Sequence, residues 1–264
     1  MFKFISFGSG SCGNCYYIYT EHDGLLIDVG VGTRSLKKHF GDYGLHMPGG
    51  FSSILVTHDH ADHIKSVGSL SKKLNLPVYA TRLVHSGMDN NYCMKLKLAQ
   101  ANRHYVVKGD AFEASGFHIT PFGVPHDSSD NVGYSIEYEG VVFTLLTDVG
   151  HITEEMKAII RNTDYLVIEA NYDLQMLQNG PYPRHLQERI QCGTGHLSNA
   201  QCGAALVENY TERLKYIWLC HLSEENNHPE LARKSIEQAL SDAGIKVKLD
   251  VLRRKQPTGV FELV

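Results

Sequence analysis

The stretch Thr57-His58-Asp59-His60-Ala61-Asp62-His63 sets three imidazoles and the Asp62 carboxylate within six residues. Imidazole nitrogen and carboxylate oxygen are the ligands that zinc, manganese and iron take readily. The segment before it, Ser53–Val56, reads as a short apolar strand. The segment after it, Asp62–Leu74, reads as a helix that closes before Pro77. His58 and His60 are two residues apart, so an extended backbone turns both to one side. Asp62 and His63 fall in the following turn, displaced toward a second position. The spacing therefore predicts two neighbouring metal sites. The bland alternative is a polar turn with surface histidines.

Two metals need more ligands, and three other places supply them. Val124-Pro125-His126-Asp127 follows a predicted strand, Phe143–Asp148 is an apolar strand ending in a carboxylate, and Trp218-Leu219-Cys220-His221 is one ending in an imidazole. Groups on loops at the ends of a rigid sheet are where sites are usually built. Singly, Asp148 reads equally as a helix cap, and His126 or His221 as satisfied core histidines. Beside the 58–63 cluster, the three complete a set of seven ligands. The residue types leave zinc, manganese and iron open as the native metal.

Around these motifs lies an ordinary globular chain. Its 264 residues bury enough apolar surface to need no staples. A formal net charge of −4 rules out a bulk basic field for nucleic acid, but not a local basic groove. The N-terminal apolar run Met1–Phe7 is too short for an export signal and enters Gly8-Ser9-Gly10-Ser11 at once. No apolar stretch has the length of a membrane span. Six scattered cysteines fit a reducing cytoplasm, the expected location. With no linker, low-complexity tract or repeat, residues 1–264 are expected to form one domain.

Strands are predicted at Lys3–Phe7, Tyr16–Thr20, Leu25–Asp28, Tyr105–Val107, Phe117–Pro121, Gly133–Tyr138, Val141–Leu146, Tyr165–Ile168 and Tyr216–Leu219. Turns fall at His22-Asp23-Gly24 and Glu139-Gly140. Helices are predicted at Glu154–Ile160, Arg184–Ile190, Asn199–Asn209 and Glu230–Ala243, with a mixed, helical insert at 81–103. The order suggests an α/β protein: two packed sheets with helices outside, an αββα sandwich.

The His-x-His-x-Asp-His motif at 58–63, with the later His126, Asp148 and His221, resembles the metallo-β-lactamase superfamily, and the resemblance spans essentially the whole chain. It implies that His58, His60 and His126 hold one metal, that Asp62, His63 and His221 hold the other, and that Asp148 bridges them. Asp28, in Leu26-Ile27-Asp28-Val29-Gly30, matches that superfamily's first motif, a carboxylate that orients the metal site. A narrower likeness rests on Ser9-Gly10-Ser11-x-Gly13-Asn14, Gly195-His196-Leu197-Ser198-Asn199 and His221-Leu222-Ser223-x-x-Asn226-Asn227. These look like the YycJ-type (WalJ or VicX) branch, which implies a DNA exonuclease acting from 5′ ends. Cys12 and Cys15 add a C-x-x-C departure within the first motif. It sits in a Gly-rich turn with no following helix, so incidental small residues are the simpler reading.

Val167-Ile168-Glu169-Ala170-Asn171 and Gly195-His196 resemble the Glu and His of the superfamily's tRNA 3′-processing nucleases. The resemblance implies that Glu169 orients His196, and that His196 assists the leaving oxygen while a metal-bridging hydroxide attacks phosphorus; Asp62 belongs to that catalytic set. Ser198-Asn199-Ala200-Gln201 reads as a capping box whose helix start could hold a phosphate, although a bare cap is the commoner meaning. Arg184, His185 and the run Arg253-Arg254-Lys255 are candidates for backbone contacts with a DNA end, with solvated faces as the alternative. The competing activities are hydrolysis of a small ester, thioester or lactam, and a non-catalytic partner role. Glyoxalase-type thioesterases generally add a C-terminal helical domain, for which this chain has no room, and a binding role would not require the whole ligand set.

Overall fold

The structure, a computed structural model, describes residues 1–264. In chain order it comprises β1 (Phe2–Gly8), β2 (Cys15–Tyr19), β3 (Gly24–Ile27), α1 (Thr33–Asp42), β4 (Ser53–Leu55), α2 (Ala61–Ile64), α3 (Val67–Leu74), β5 (Val78–Ala80), α4 (Arg82–Asn90) and β6 (Arg103–Tyr105). There follow β7 (Phe112–Ala114), β8 (Phe117–Gly123), β9 (Val132–Tyr138), β10 (Val141–Leu146), α5 (Glu154–Arg161), β11 (Tyr165–Glu169), α6 (Leu174–Asn179), α7 (Arg184–Gln191), α8 (Asn199–Asn209), β12 (Tyr216–Cys220), α9 (Pro229–Asp242), β13 (Lys248–Val251) and β14 (Phe261–Leu263). The strands make two seven-stranded sheets, ordered β14-β1-β2-β3-β4-β5-β6 and β13-β12-β11-β10-β9-β8-β7.

Strand periodicity explains the layers. Successive side chains point to opposite faces. In β2, Tyr16 and Ile18 join the core between the sheets, with Phe4, Ile27, Tyr134, Phe143 and Trp218. Tyr17 and Tyr19 of the same strand pack outward with Leu36 and Phe40 of α1, Leu70 of α3 and Val84 of α4. The other sheet repeats the arrangement: Leu146, Ile168 and Leu219 meet Met156 of α5, Leu206 of α8 and Ile236 of α9. Both faces of each sheet are covered, giving the αββα sandwich. The hairpin at Glu139-Gly140 forms, with Tyr138 opposite Val141 and φ of 50° and 82° at the two turn residues.

Several expectations need correction. The helix expected over Asp62–Leu74 is two helices, because tertiary bonds take the backbone groups that would join them. The Asp62 carbonyl accepts from Asn14 N–H (2.8 Å), the His63 carbonyl accepts from Val29 N–H (2.8 Å), and Ser66 N–H donates to the Val29 carbonyl (2.9 Å). Helix α1 was not expected: its buried apolar pair, Leu36 and Phe40, is too sparse for a periodicity signal. The short strands β5, β7, β13 and β14 were missed, as was α6. Each of these strands has only three or four residues and is fixed by its neighbour. The strand expected at Tyr105–Val107 lies two residues earlier, where β6 pairs with β5 from Arg103 opposite Val78.

Strands β3 and β4 run parallel, as do β10, β11 and β12, and β8 has the same direction through β9. Their carboxyl ends therefore share one rim. Asp28 follows β3, Asp148 follows β10 by one residue, and His221 follows β12. All three have left-handed backbone, with φ of 59°, 55° and 53°. Non-glycine residues seldom adopt this conformation, which costs about 1–3 kcal/mol where it occurs in a sparsely populated region.

Candidate metal centre

The rim gathers His58, His60, Asp62, His63, His126, Asp148 and His221 into one cluster. Four sets have ligand atoms mutually within 4.8 Å: His58, His60 and His126; His58, His63 and Asp148; Asp62, His63 and His221; and, reaching past these seven residues, Asp148, Glu169, His196 and His221. Asp148 lies among four imidazoles. Its Oδ2 is 3.2 Å from His63 Nε2, and its Oδ1 is 3.5 Å from His221 Nε2, 3.7 Å from His126 Nε2 and 4.0 Å from His58 Nε2. Asp62 Oδ2 sits 3.3 Å from His221 Nε2 and 3.5 Å from His63 Nε2.

Each imidazole is held from behind through its other nitrogen. His126 Nδ1–H donates to the Gly195 carbonyl (3.0 Å), and His60 Nε2–H to the Asp127 carbonyl (3.2 Å). His63 Nδ1–H donates to Asp28 Oδ2 (2.7 Å), and His221 Nδ1–H to Glu169 Oε1 (3.0 Å). His58 Nδ1–H donates to Thr57 Oγ1 (3.0 Å), whose own proton goes to Asp28 Oδ2 (2.8 Å). Carbonyls and carboxylates only accept, so these partners fix the tautomers and turn a lone pair of each ring into the cluster. The His58 Nε2 that faces inward is buried without any hydrogen-bond partner. A buried polar atom left this way is costly, and a metal ion is the partner that the surrounding donors fit.

The electrostatics agree. Burial works against charge on Asp148, but His221, His63 and His58 outweigh it and hold the carboxyl well below its ordinary range. Burial opposes charge on Asp62 too, and His63 and His221 overcome it. Burial lowers His58, helped by His63, so that ring is neutral, the form that ligates. His63 and His221 go the other way: Asp148 and the neighbouring carboxylates overcome burial and raise both, His221 to about 10. Without a metal, protons on these two rings balance the carboxylates.

Glu169 ends β11, wholly buried, with four donors. Its Oε2 accepts from Val149 N–H (2.8 Å) and Leu197 N–H (3.1 Å), and its Oε1 from His196 Nδ1 (2.8 Å) and His221 Nδ1 (3.0 Å). Burial pushes its carboxyl up, but His196 and His221 bring it down to about 2. On His196, Glu169 overcomes burial and raises the imidazole. The His196 ring is partly exposed, 5.1 Å from that of His126 and 5.4 Å from that of His221 between centroids. One carboxylate thus orients both His196 and His221, a double role that the sequence reading did not include.

Other candidates are placed differently. The Ser198–Gln201 capping box forms and opens α8. Asn199 is buried and exchanges hydrogen bonds with Asn227 (2.8 and 3.0 Å), so its amide holds the fold. Arg184 and His185 stand exposed on the first turn of α7, where Arg184 pairs with Glu188 (3.1 Å). The cation of that helix nearer the cluster is Arg189, which pairs with Asp127 Oδ2 (2.5 Å); no motif marked it. Asn14, directly before β2, joins the site. Its amide lies 3.1 Å from Asp62 Oδ2 and 2.9 Å from His63 Nε2. Cys12 and Cys15 are both free, Cys12 exposed and Cys15 buried in β2. The insert and the 172–195 segment flank the cluster: Asn91 bonds the Asp59 carbonyl (2.8 Å), and Gly195 and Arg189 hold His126 and Asp127.

The family model of a β-lactamase superfamily domain matches residues 25–217. The chain is 34% identical over 239 residues to exodeoxyribonuclease YycJ of Bacillus anthracis, covering 90% of this chain and 89% of that one. It is 34% identical over 249 residues to exodeoxyribonuclease WalJ of Streptococcus pneumoniae, covering 94% and 92%. Among solved structures, the metallo-β-lactamase fold protein YhfI of Bacillus subtilis superposes with a TM-score of 0.72 at 17% identity, over 99% of this chain and all of that one. No helix is long and apolar enough to cross a membrane.

Proposed function

We propose, from the premise that the chain belongs to the metallo-β-lactamase superfamily, that it is a metal-dependent exodeoxyribonuclease degrading DNA from 5′ ends. The observation that carries this reading is 34% identity, over nearly the whole chain, to two exodeoxyribonucleases in a chain with a converging His/Asp cluster. The residues that would hold one metal are His58, His60 and His126, and those for a second are Asp62, His63 and His221, with Asp148 shared. Divalent ions bound there would supply Lewis acidity toward a phosphoryl oxygen and make water a nucleophile at neutral pH.

The chain's own residues carry the rest. Asp28 and Thr57 orient His63 and His58. Glu169 keeps a proton on His196 Nδ1 and stabilises positive charge on that ring, which suits His196 to protonate the departing sugar oxygen. Leaving-group assistance is what a phosphodiester requires, because an alkoxide is a poor leaving group. The whole chain is proposed to act as one domain.

The test is a substrate panel. The purified, metal-loaded protein is offered DNA, a thioester and a lactam, each with and without chelator. The expected result is chelator-sensitive loss of DNA alone. Turnover of the thioester or lactam with DNA untouched would replace this reading by a small-molecule hydrolase.

A further inference from the structure

The segment that joins the two sheets at their edges, residues 252–260, begins beside the metal cluster. Strand β13 runs parallel to β12 with Leu219 opposite Val251, and continuing that register sets His221 level with Arg253. Neighbouring strands lie about 4.8 Å apart. Ser9 ties the two positions together: its N–H donates to the Arg253 carbonyl (3.1 Å), and its Oγ accepts from His221 N–H (3.0 Å). The segment is pinned along its length by Leu252 N–H to the Leu219 carbonyl (2.9 Å), Cys12 Sγ to the Arg254 carbonyl (3.4 Å) and Thr258 N–H to the Ser6 carbonyl (2.9 Å).

Under this segment lies a cavity of about 640 Å³, within the usual size of a small-molecule site. It starts at Leu222, the residue after His221, and is lined by Trp218, Arg233, Arg253, Arg254 and Lys255 among others. Two of its cations are already neutralised. Arg233 pairs with Asp250 (2.8 Å), and Lys255 with Glu224 (3.2 Å). Arg253 and Arg254 have no carboxylate; Arg253 meets only the neutral Gln256 (3.2 Å). Arg254 Nη1 is buried with no hydrogen-bond partner, and so is the indole N–H of Trp218, which is wholly buried. The Arg254 side chain lies along Gly10, so close that a Cβ there would sit 3.0 Å from its Cγ. Two uncompensated guanidiniums and two buried donors without acceptors ask for an anionic, acceptor-rich ligand.

We propose that this cavity is a phosphate subsite, in which Arg253 and Arg254 hold a phosphate of the DNA strand on the His221 side of the metal cluster. The inference rests on the nuclease reading above and gives that site a direction: the strand enters along the Ser9–Ser11 loop and the 252–256 segment. The same chemistry is offered by a terminal 5′-phosphate and by an internal diester, so the test separates them.

Binding of 5′-phosphorylated and 5′-hydroxyl single-stranded oligonucleotides is measured by fluorescence anisotropy across a salt series, for wild type, Arg254→Gln, Arg253→Gln and the distant exposed control Lys248→Gln. Thermal unfolding checks that each variant is folded, and Arg253→Gln, on an exposed side chain, serves if Arg254→Gln is not. The expected result is roughly tenfold or more weaker binding for the arginine variants, as for a lost charged hydrogen bond. The slope of log K against log salt should fall by about 0.7 per lost contact. Loss confined to the 5′-phosphorylated strand assigns the cavity to the terminal phosphate, and equal loss on both assigns it to a backbone phosphate. If wild type binds and degrades DNA while both variants bind it unchanged with the same salt slope, the subsite is refuted and the nuclease reading stands. If wild type neither binds nor degrades DNA, both fall.

Discussion

Replacing Glu169 by Gln removes one charge and changes one atom from acceptor to donor, and the surroundings dictate which atom. Two backbone donors, Val149 and Leu197 N–H, point at the Oε2 position. An NH₂ group there would face two N–H groups, so the amide oxygen must take that place. The NH₂ then faces Nδ1 of His196 and of His221, at the position from which Oε1 now accepts from both at 2.8 and 3.0 Å. To accept from it, each ring must move its proton to Nε2. For His221, that puts a proton on the nitrogen 3.3 Å from Asp62 and 3.5 Å from Asp148, where the lone pair for a metal should be. Loss of such a supporting partner typically costs roughly 10–100-fold in metal affinity, about 1.4–2.8 kcal/mol. His196 is left without its counter-charge, so cleavage should fall further, by about 10²–10⁴-fold, as for a lost general acid. The assay is metal titration of the apo variant, followed by cleavage at saturating metal. Wild-type metal affinity together with wild-type turnover in Glu169→Gln would refute the tautomer reasoning.

His196→Ala should retain the metal content of wild type but cleave DNA about 10²–10⁴-fold more slowly, and the loss should shrink for a p-nitrophenyl phosphodiester, whose leaving group needs no proton. An equal loss on both substrates would exclude protonation by His196. Gly30→Ala would place a Cβ 1.6 Å from the Asp62 carbonyl oxygen, so backbone must shift; a destabilisation of about 3 kcal/mol or more is expected in denaturant unfolding, with impaired metal binding. Metal must displace the protons that Asp148 and its neighbours hold on His63 and His221, so binding should release protons, read by calorimetry in buffers of different ionisation enthalpy. The sign follows: both imidazoles are raised, so apparent affinity climbs with pH above 7 toward the His221 value of about 10, and a flat profile would contradict it.

The central sheets and the cluster were legible because their signals are local. Strand β10, Val141–Leu146, is apolar at every position but Thr144, since both of its faces are covered, and the 58–63 run compresses four of the seven gathered side chains into one turn. What escaped was set by distant partners. The break between α2 and α3 depends on Val29 and Asn14, more than thirty residues away, which capture the carbonyls of His63 and Asp62. A three-residue strand such as β14 carries no period to detect; it exists because Phe2 and Phe4 pair with Leu263 and Phe261. At the site, Ser198 and Asn199 looked available for phosphate because a capping box and a phosphate-binding helix start share one sequence. The Ser198–Gln201 cap is read from the sequence, whereas the Asn199–Asn227 hydrogen bonds are visible only once α8 is packed. Arg189 was silent for the converse reason: nothing along α7 tells which of its basic residues meets Asp127.

The most direct test offers the metal-loaded protein one DNA sequence in two forms, linear with a 5′ label and covalently closed circular, with manganese or zinc and with a chelator control. The linear form alone should be degraded, with early release of the 5′ label, and chelator should stop it. Equal cutting of both forms, or degradation of neither, would contradict the exodeoxyribonuclease proposal.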